Sequence, residues 1–297
     1  MNNFVLLFVI ALCGTCTSSS LNRIAGGSPV TDHNQFQYMI SLQQKSQLNT
    51  PTRGHRCGGA LVSLRHAVTA ATCVYNSQNG VYTLLNTTEY RVFAGALDLT
   101  NDTSADRLRD VERFTVHPDY RPGSPYFNDI AVITFTSAFS ANNVRVVPLS
   151  TNDVQQPCSS SGWGSLDGAG VPSTLLVHLQ KQAMVDNSQC QSFFFQQITL
   201  QTNMICGMTV SLTGDSSCQG DIGNPLVCNG NLQGVLVGTA YSNCSIVMPA
   251  PRPELYTRIS SFRSWISTTA GASSFQPAMG VLALITIVQI IKTNVLN

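Results

Sequence analysis

Charge is scarce in this chain: Asp, Glu, Lys and Arg make up 10% of 297 residues, with a formal net charge of +1. So even a balance offers neither the basic stripe that nucleic acid demands nor a polybasic run for an anionic membrane surface. Long apolar runs are missing as well. Phe4–Leu12 and Ala278–Ile291 are the two apolar stretches at the chain ends, and both fall short of a comfortable bilayer-spanning helix of about 20 residues. Leaving aside the first twenty residues, no Cys-x-x-Cys pair and no accompanying histidine set remain, so no structural metal site is indicated. Nothing in the pattern calls for a cofactor.

What is present points to an exported, turn-rich protein. Hydrophobic residues reach 43%, with 22 Gly and 13 Pro, which suits a well-packed all-β fold. The apolar run Phe4–Leu12 is followed by small and hydroxylated residues, Gly14 to Ser20, as in a secretory signal over residues 1–20. Its start lacks the usual Lys or Arg, and a short buried or anchoring helix is the weaker alternative. Removing that leader takes Cys13 and Cys16 with it and leaves an even set of eight cysteines. Eight half-cystines allow about 105 pairings, and their spacing does not choose among them. Sequons at Asn86, Asn101 and Asn243 fit a glycosylated surface, although Asn243 lies beside Cys244, where attachment would be hindered.

Several separate motifs then recur in a telling order. They are Arg23-Ile24-Ala25-Gly26-Gly27, Cys57-Gly58-Gly59-Ala60-Leu61, Thr69-Ala70-Ala71-Thr72-Cys73 and Asn128-Asp129-Ile130-Ala131-Val132. After them come Cys158 to Gly164, Cys218 to Cys228 and Leu255-Tyr256-Thr257-Arg258-Ile259. From Ile24 to about Thr269 the chain resembles the trypsin/chymotrypsin-like serine protease (S1) family. The resemblance implies two six-stranded Greek-key β-barrels with a cleft between them, joined near Ser140–Asn143, and a C-terminal helix over Ser260–Ile266. It also implies the bridges Cys57–Cys73, Cys158–Cys228, Cys190–Cys206 and Cys218–Cys244. The organisation expected is a signal at 1–20, an activation propeptide at 21–23, the protease-like domain at 24–270, and a linker with a hydrophobic tail at 271–297.

The reactive positions depart from the family pattern. Where the family carries its base, this chain has Thr72; where it carries its nucleophile, within Gly220-Asp221-Ile222-Gly223-Asn224-Pro225, it has Ile222. Acyl transfer by this route needs an oxygen nucleophile and a base near neutral pH. Asp129 takes the carboxylate position and has no imidazole to orient, so a buried carboxylate bonded to backbone or to Thr72 is expected. His55, His66 and His117 fall on other parts of the alignment, and Ser216 and Ser217 lie along the pocket wall. Gly220 and the Ile222 peptide retain the positions of an oxyanion-binding pair of N–H groups. The expectation is therefore a secreted homologue that is not an enzyme and acts by binding a protein: a protease, a zymogen or an inhibitor. An endopeptidase with unconventional catalytic residues, or a membrane-anchored interaction module, is the alternative.

Around the cleft, the resemblance places Ser216 at the pocket floor and Val237-Gly238-Thr239 on the peptide-docking strand, where an aromatic is lost and Thr239 adds bulk. Glu254 falls where a pocket-lining glycine is usual. It is expected to pair with Arg252 on a surface loop, with an inward Glu254 that narrows and acidifies the pocket as the alternative. In the family, cleavage after a basic residue frees an Ile amine that pairs with an Asp. Here Arg23, Ile24 and Asp221 would form that activation switch, now controlling binding, with a pair kept purely as a fold requirement as the alternative. No calcium loop is evident at Gly95–Asp98. Polar loops at Gln43–Arg53 and Asn76–Glu89 would flank the rim. The tail after Gly271 resembles a lipid-anchor signal with a short spacer, so a cell-surface form stands beside the secreted one.

Overall fold

The computed structural model describes residues 27–101, 104–123, 126–155, 157–165, 170–184, 186–194, 198–209, 216–239 and 253–271. Six strands close the first barrel: β1 (Met39–Gln44), β2 (His55–Ser63), β3 (His66–Thr69), β4 (Tyr90–Ala94), β5 (Leu108–Val116) and β6 (Ala131–Phe135). Six more make the second: β7 (Pro157–Gly162), β8 (Val177–Met184), β9 (Met204–Thr209), β10 (Pro225–Cys228), β11 (Asn231–Thr239) and β12 (Glu254–Arg258). The β8–β9 pairing closes that second ring, and a two-residue strand, Ser28–Pro29, adds to β8 from outside. Two helices complete the elements named here, α1 (Ser188–Phe194) and α2 (Ile259–Thr269).

Alternation explains the barrels. In the first, Ile40 and Leu42 of β1, Val92 and Ala94 of β4, and Ala131, Ile133 and Phe135 of β6 point into one buried cluster. The second packs Ala183, Ile205, Leu226, Leu236 and Tyr256 in the same way. A third cluster, with Met39, Val68, Phe93, Trp163 and Val235, runs between the two barrels and cements them together. Helix α2 buries Ile259, Phe262 and Ile266 at helical spacing, and Phe262 and Trp265 meet His117 edge-on at 4.9 and 5.0 Å. It extends the expected Ser260–Ile266 by one residue at its start and three at its end.

Three disulfides pin this frame: Cys57–Cys73, Cys158–Cys228 and Cys190–Cys206. Cys158 and Cys228 face each other directly across the β7–β10 ladder. Cys218 is also disulfide-bonded; Cys244 lies outside the described residues. So do the leader, Arg23, Ile24, Asn243, Arg252 and the tail. No helix among the described residues is long and apolar enough to cross a membrane.

Candidate functional site

The site forms where the short helical turn after β3 meets the turn before β10. Gly58 of β2 donates its N–H to the Ile222 carbonyl at 3.1 Å, which ties the second turn to the first barrel. Asp129, at the head of β6, is 1% exposed. Its Oδ1 accepts from the Thr72 N–H at 2.8 Å, and its Oδ2 accepts from the Thr72 hydroxyl at 2.6 Å. With that proton committed, the Tyr120 hydroxyl at 3.1 Å donates to Thr72 Oγ1. Burial, opposed by the Thr72 donors, pushes the Asp129 carboxyl up to about 6, and burial above all lifts Tyr120 to about 12.

The raised Asp129 value makes a prediction about pH. A folded pKa above the unfolded one gives a stability contribution that is complete below the unfolded value of 3.8 and lost as pH rises through about 6. Asp129→Asn cannot ionise, so it should remove that decline. A shift of about two units corresponds to about 3 kcal/mol. Urea melts at pH 4 and pH 7 should therefore show the variant gaining by roughly that amount over the parent at the higher pH. An equal difference at both pH values would reject the assignment.

On the opposite side, Ile222 is half-buried and packs on both the inter-barrel cluster and the second-barrel core. Its neighbour Asp221 is fully buried and lifted to about 7 by burial. The Asp221 carboxylate accepts from the Gly164 N–H and the Asn224 amide on Oδ1, at 2.8 and 2.7 Å, and from the Cys218 N–H on Oδ2, at 2.8 Å. Gly220 holds φ +94, a left-handed conformation that glycine takes without strain. Its carbonyl accepts from His55 Nε2 at 3.0 Å, which leaves Nδ1 to accept from the Ser41 hydroxyl at 2.7 Å. Burial lowers the His55 pKa to about 4, so this imidazole is neutral at physiological pH. Its ring edges onto Trp163 at 5.9 Å.

Glu254 requires a correction. It does not sit on a surface loop but begins β12 with 0% exposure, and its carboxylate forms an ion pair with Lys181 of β8 at 3.0 Å. The same carboxylate accepts from the Ser217 N–H at 2.6 Å and the Tyr256 hydroxyl at 2.5 Å. Three donors thus engage a group expected to pair with Arg252 or to line an acidic pocket. Ser216 is 3% exposed and donates its hydroxyl to the Ser217 carbonyl at 3.0 Å. Thr239 pairs across the β11–β12 ladder with Glu254. Lys181 escaped the sequence reading, although its signal was there: Val177, Leu179, Lys181 and Ala183 alternate into the core of β8. Asn86 and Asn101 are exposed, and Asn86 Oδ1 accepts from the Thr88 N–H at 3.2 Å.

The family model described as Trypsin matches residues 24–266. The chain belongs to the trypsin family. Among relatives of this trypsin-family chain, Trypsin-3 of Salmo salar is 31% identical over 85% of this chain and 94% of its own. Trypsin zeta of Drosophila erecta is 32% identical, covering 82% of this chain and 84% of its own. Among solved structures, neuropsin, a serine protease expressed in the limbic system of mouse brain, superimposes with a TM-score of 0.66. It shares 26% identity over 82% of this chain and 99% of neuropsin. These findings correct the expectation, drawn from Thr72 and Ile222, that the chain is not an enzyme. The relatives are named trypsins and serine proteases, and membership of their family points to a protease.

Proposed function

We propose that this trypsin-family protein is exported and regulates proteolysis by binding a protein segment between its barrels, the partner being a protease, a zymogen or an inhibitor. One observation carries the reading: the turn over Cys218–Pro225 is braced by Asp221, yet the residue it carries at 222 is a half-buried hydrocarbon packed on the inter-barrel cluster and the second-barrel core. Such a surface favours apolar contact with a partner. Three disulfides and the leader-like start support export to an oxidising compartment. Biolayer interferometry with immobilised chain against trypsin, trypsinogen and a protein trypsin inhibitor tests it. At least one should bind, with Ile222→Arg weakening that complex about tenfold or more. Absence of binding to all three would sink the idea.

Family membership favours a second reading, an endopeptidase using unconventional residues. The group available to it is the Thr72 hydroxyl, exposed and already bonded to Asp129. With Asp129 near 6, the carboxylate is ionised at pH 7; it would accept the Thr72 proton as Oγ1 attacks the peptide carbonyl and return it to the amine as the C–N bond breaks, water then releasing the acyl group from Oγ1. A fluorophosphonate probe separates the readings. Stoichiometric labelling that disappears in Thr72→Val supports turnover at Thr72, whereas an unlabelled protein rejects it.

A further inference from the structure

We infer that Asn224 is a positioning residue, whose carboxamide clamps the Asp221 carboxylate and so sets the Cys218–Pro225 turn in the uncut chain. The family resemblance assigned that task to an amine released by cleavage after Arg23. Asn224 is 1% exposed and supplies the one side-chain donor recorded to Asp221 among the described residues, beside the two backbone donors from Gly164 and Cys218. Its orientation is fixed by charge: turning the amide over would set its oxygen against the carboxylate. In the bonded orientation, Oδ1 has no hydrogen-bond partner among the described residues, so the bond to Asp221 decides which way the amide faces.

The surroundings are cut to fit this group. A Cβ on Gly58 would run into the Asn224 oxygen, and one on Gly162 into its amide nitrogen. Gly164 likewise makes room for the Asp221 carboxylate, which a Cβ there would overlap. Gly58 belongs to the first barrel and Gly162 to the second, so the amide is wedged in the seam between them. Its backbone is held too, for Asn224 donates to the Asp221 carbonyl at 3.0 Å and accepts from the Leu236 N–H at 2.8 Å. Such a clamp needs no free amine to act.

Hydrogen–deuterium exchange on full-length Arg23→Gln, compared with wild type cleaved after Arg23, tests the inference. Peptides covering Cys218–Pro225 should be equally protected in both. In Arg23→Gln/Asn224→Gly those peptides should exchange ~10-fold faster or more. Carboxyl-carbon NMR separates the donor from mere space-filling by sign: loss of the amide donor should raise the Asp221 titration midpoint, whereas water entering a vacated space would lower it. Protection that arises only after cleavage would overturn the inference, and so would exchange and titration unchanged in Asn224→Gly. Should that variant not fold, the intact Arg23→Gln chain alone decides between the clamp and the released amine.

Discussion

Lys181→Met is expected to lower the unfolding free energy by about 3–5 kcal/mol, because it strands a buried carboxylate. Lys181 and Glu254 both have 0% side-chain exposure, and their charges lie 3.0 Å apart inside the second barrel. Without the ammonium, Glu254 keeps the Ser217 N–H and the Tyr256 hydroxyl, two neutral donors against a full charge. That uncompensated charge weighs against the folded barrel. The pair is expected to matter far less than either partner's loss. Methionine matches the stem of lysine, and a Glu254→Gln amide still accepts from Ser217, so the double variant Lys181→Met/Glu254→Gln should recover most of the deficit. Urea titrations of the two single variants and the double close the cycle. Single-variant losses below about 1 kcal/mol would mean that water reaches the pair.

The next largest effect is expected at Gly58. An alanine there places a methyl group in the space of the Asn224 carboxamide and should cost about 3 kcal/mol by overpacking. Asn224→Gly should cost a similar amount by another route, loss of a hydrogen bond to a charged group. The two changes together should be strongly non-additive. With the carboxamide gone, of its three nearest neighbours the new Cβ keeps the α-carbon at position 224, at 3.4 Å, an ordinary contact. The double variant should therefore fall near Asn224→Gly alone, a coupling that chemical denaturation can read. Simple addition of the two losses would show that the amide yields its place without strain.

Much of the frame was legible because motifs and elements coincide. Cys57-Gly58-Gly59 lies in β2, Asn128-Asp129 precedes β6, and Phe262, Trp265 and Ile266 do mark α2. The Thr72–Asp129 contact was within reach for the same reason, since two recognisable segments converge there. The Lys181–Glu254 pair was not. Its members are 73 positions apart, and although alternation along β8 turns Lys181 inward, nothing local to either residue names the other as its partner. Asn224 was hidden differently: a single amide inside a motif does not announce that Gly58 and Gly162 have been vacated for it. Family membership, in turn, set limits that the two reactive positions read alone did not.

The neutral His55 between Ser41 and Gly220 sets how this seam answers acid. Its folded pKa of about 4 lies below the unfolded 6.5, so the stability it confers is whole above pH 6.5 and drains away as acidity approaches pH 4. Asp129 and Asp221, lifted to about 6 and about 7, change in the reverse sense over the same interval. Acid therefore weakens one side of the seam while easing the other, so the two responses oppose each other across the same pH interval.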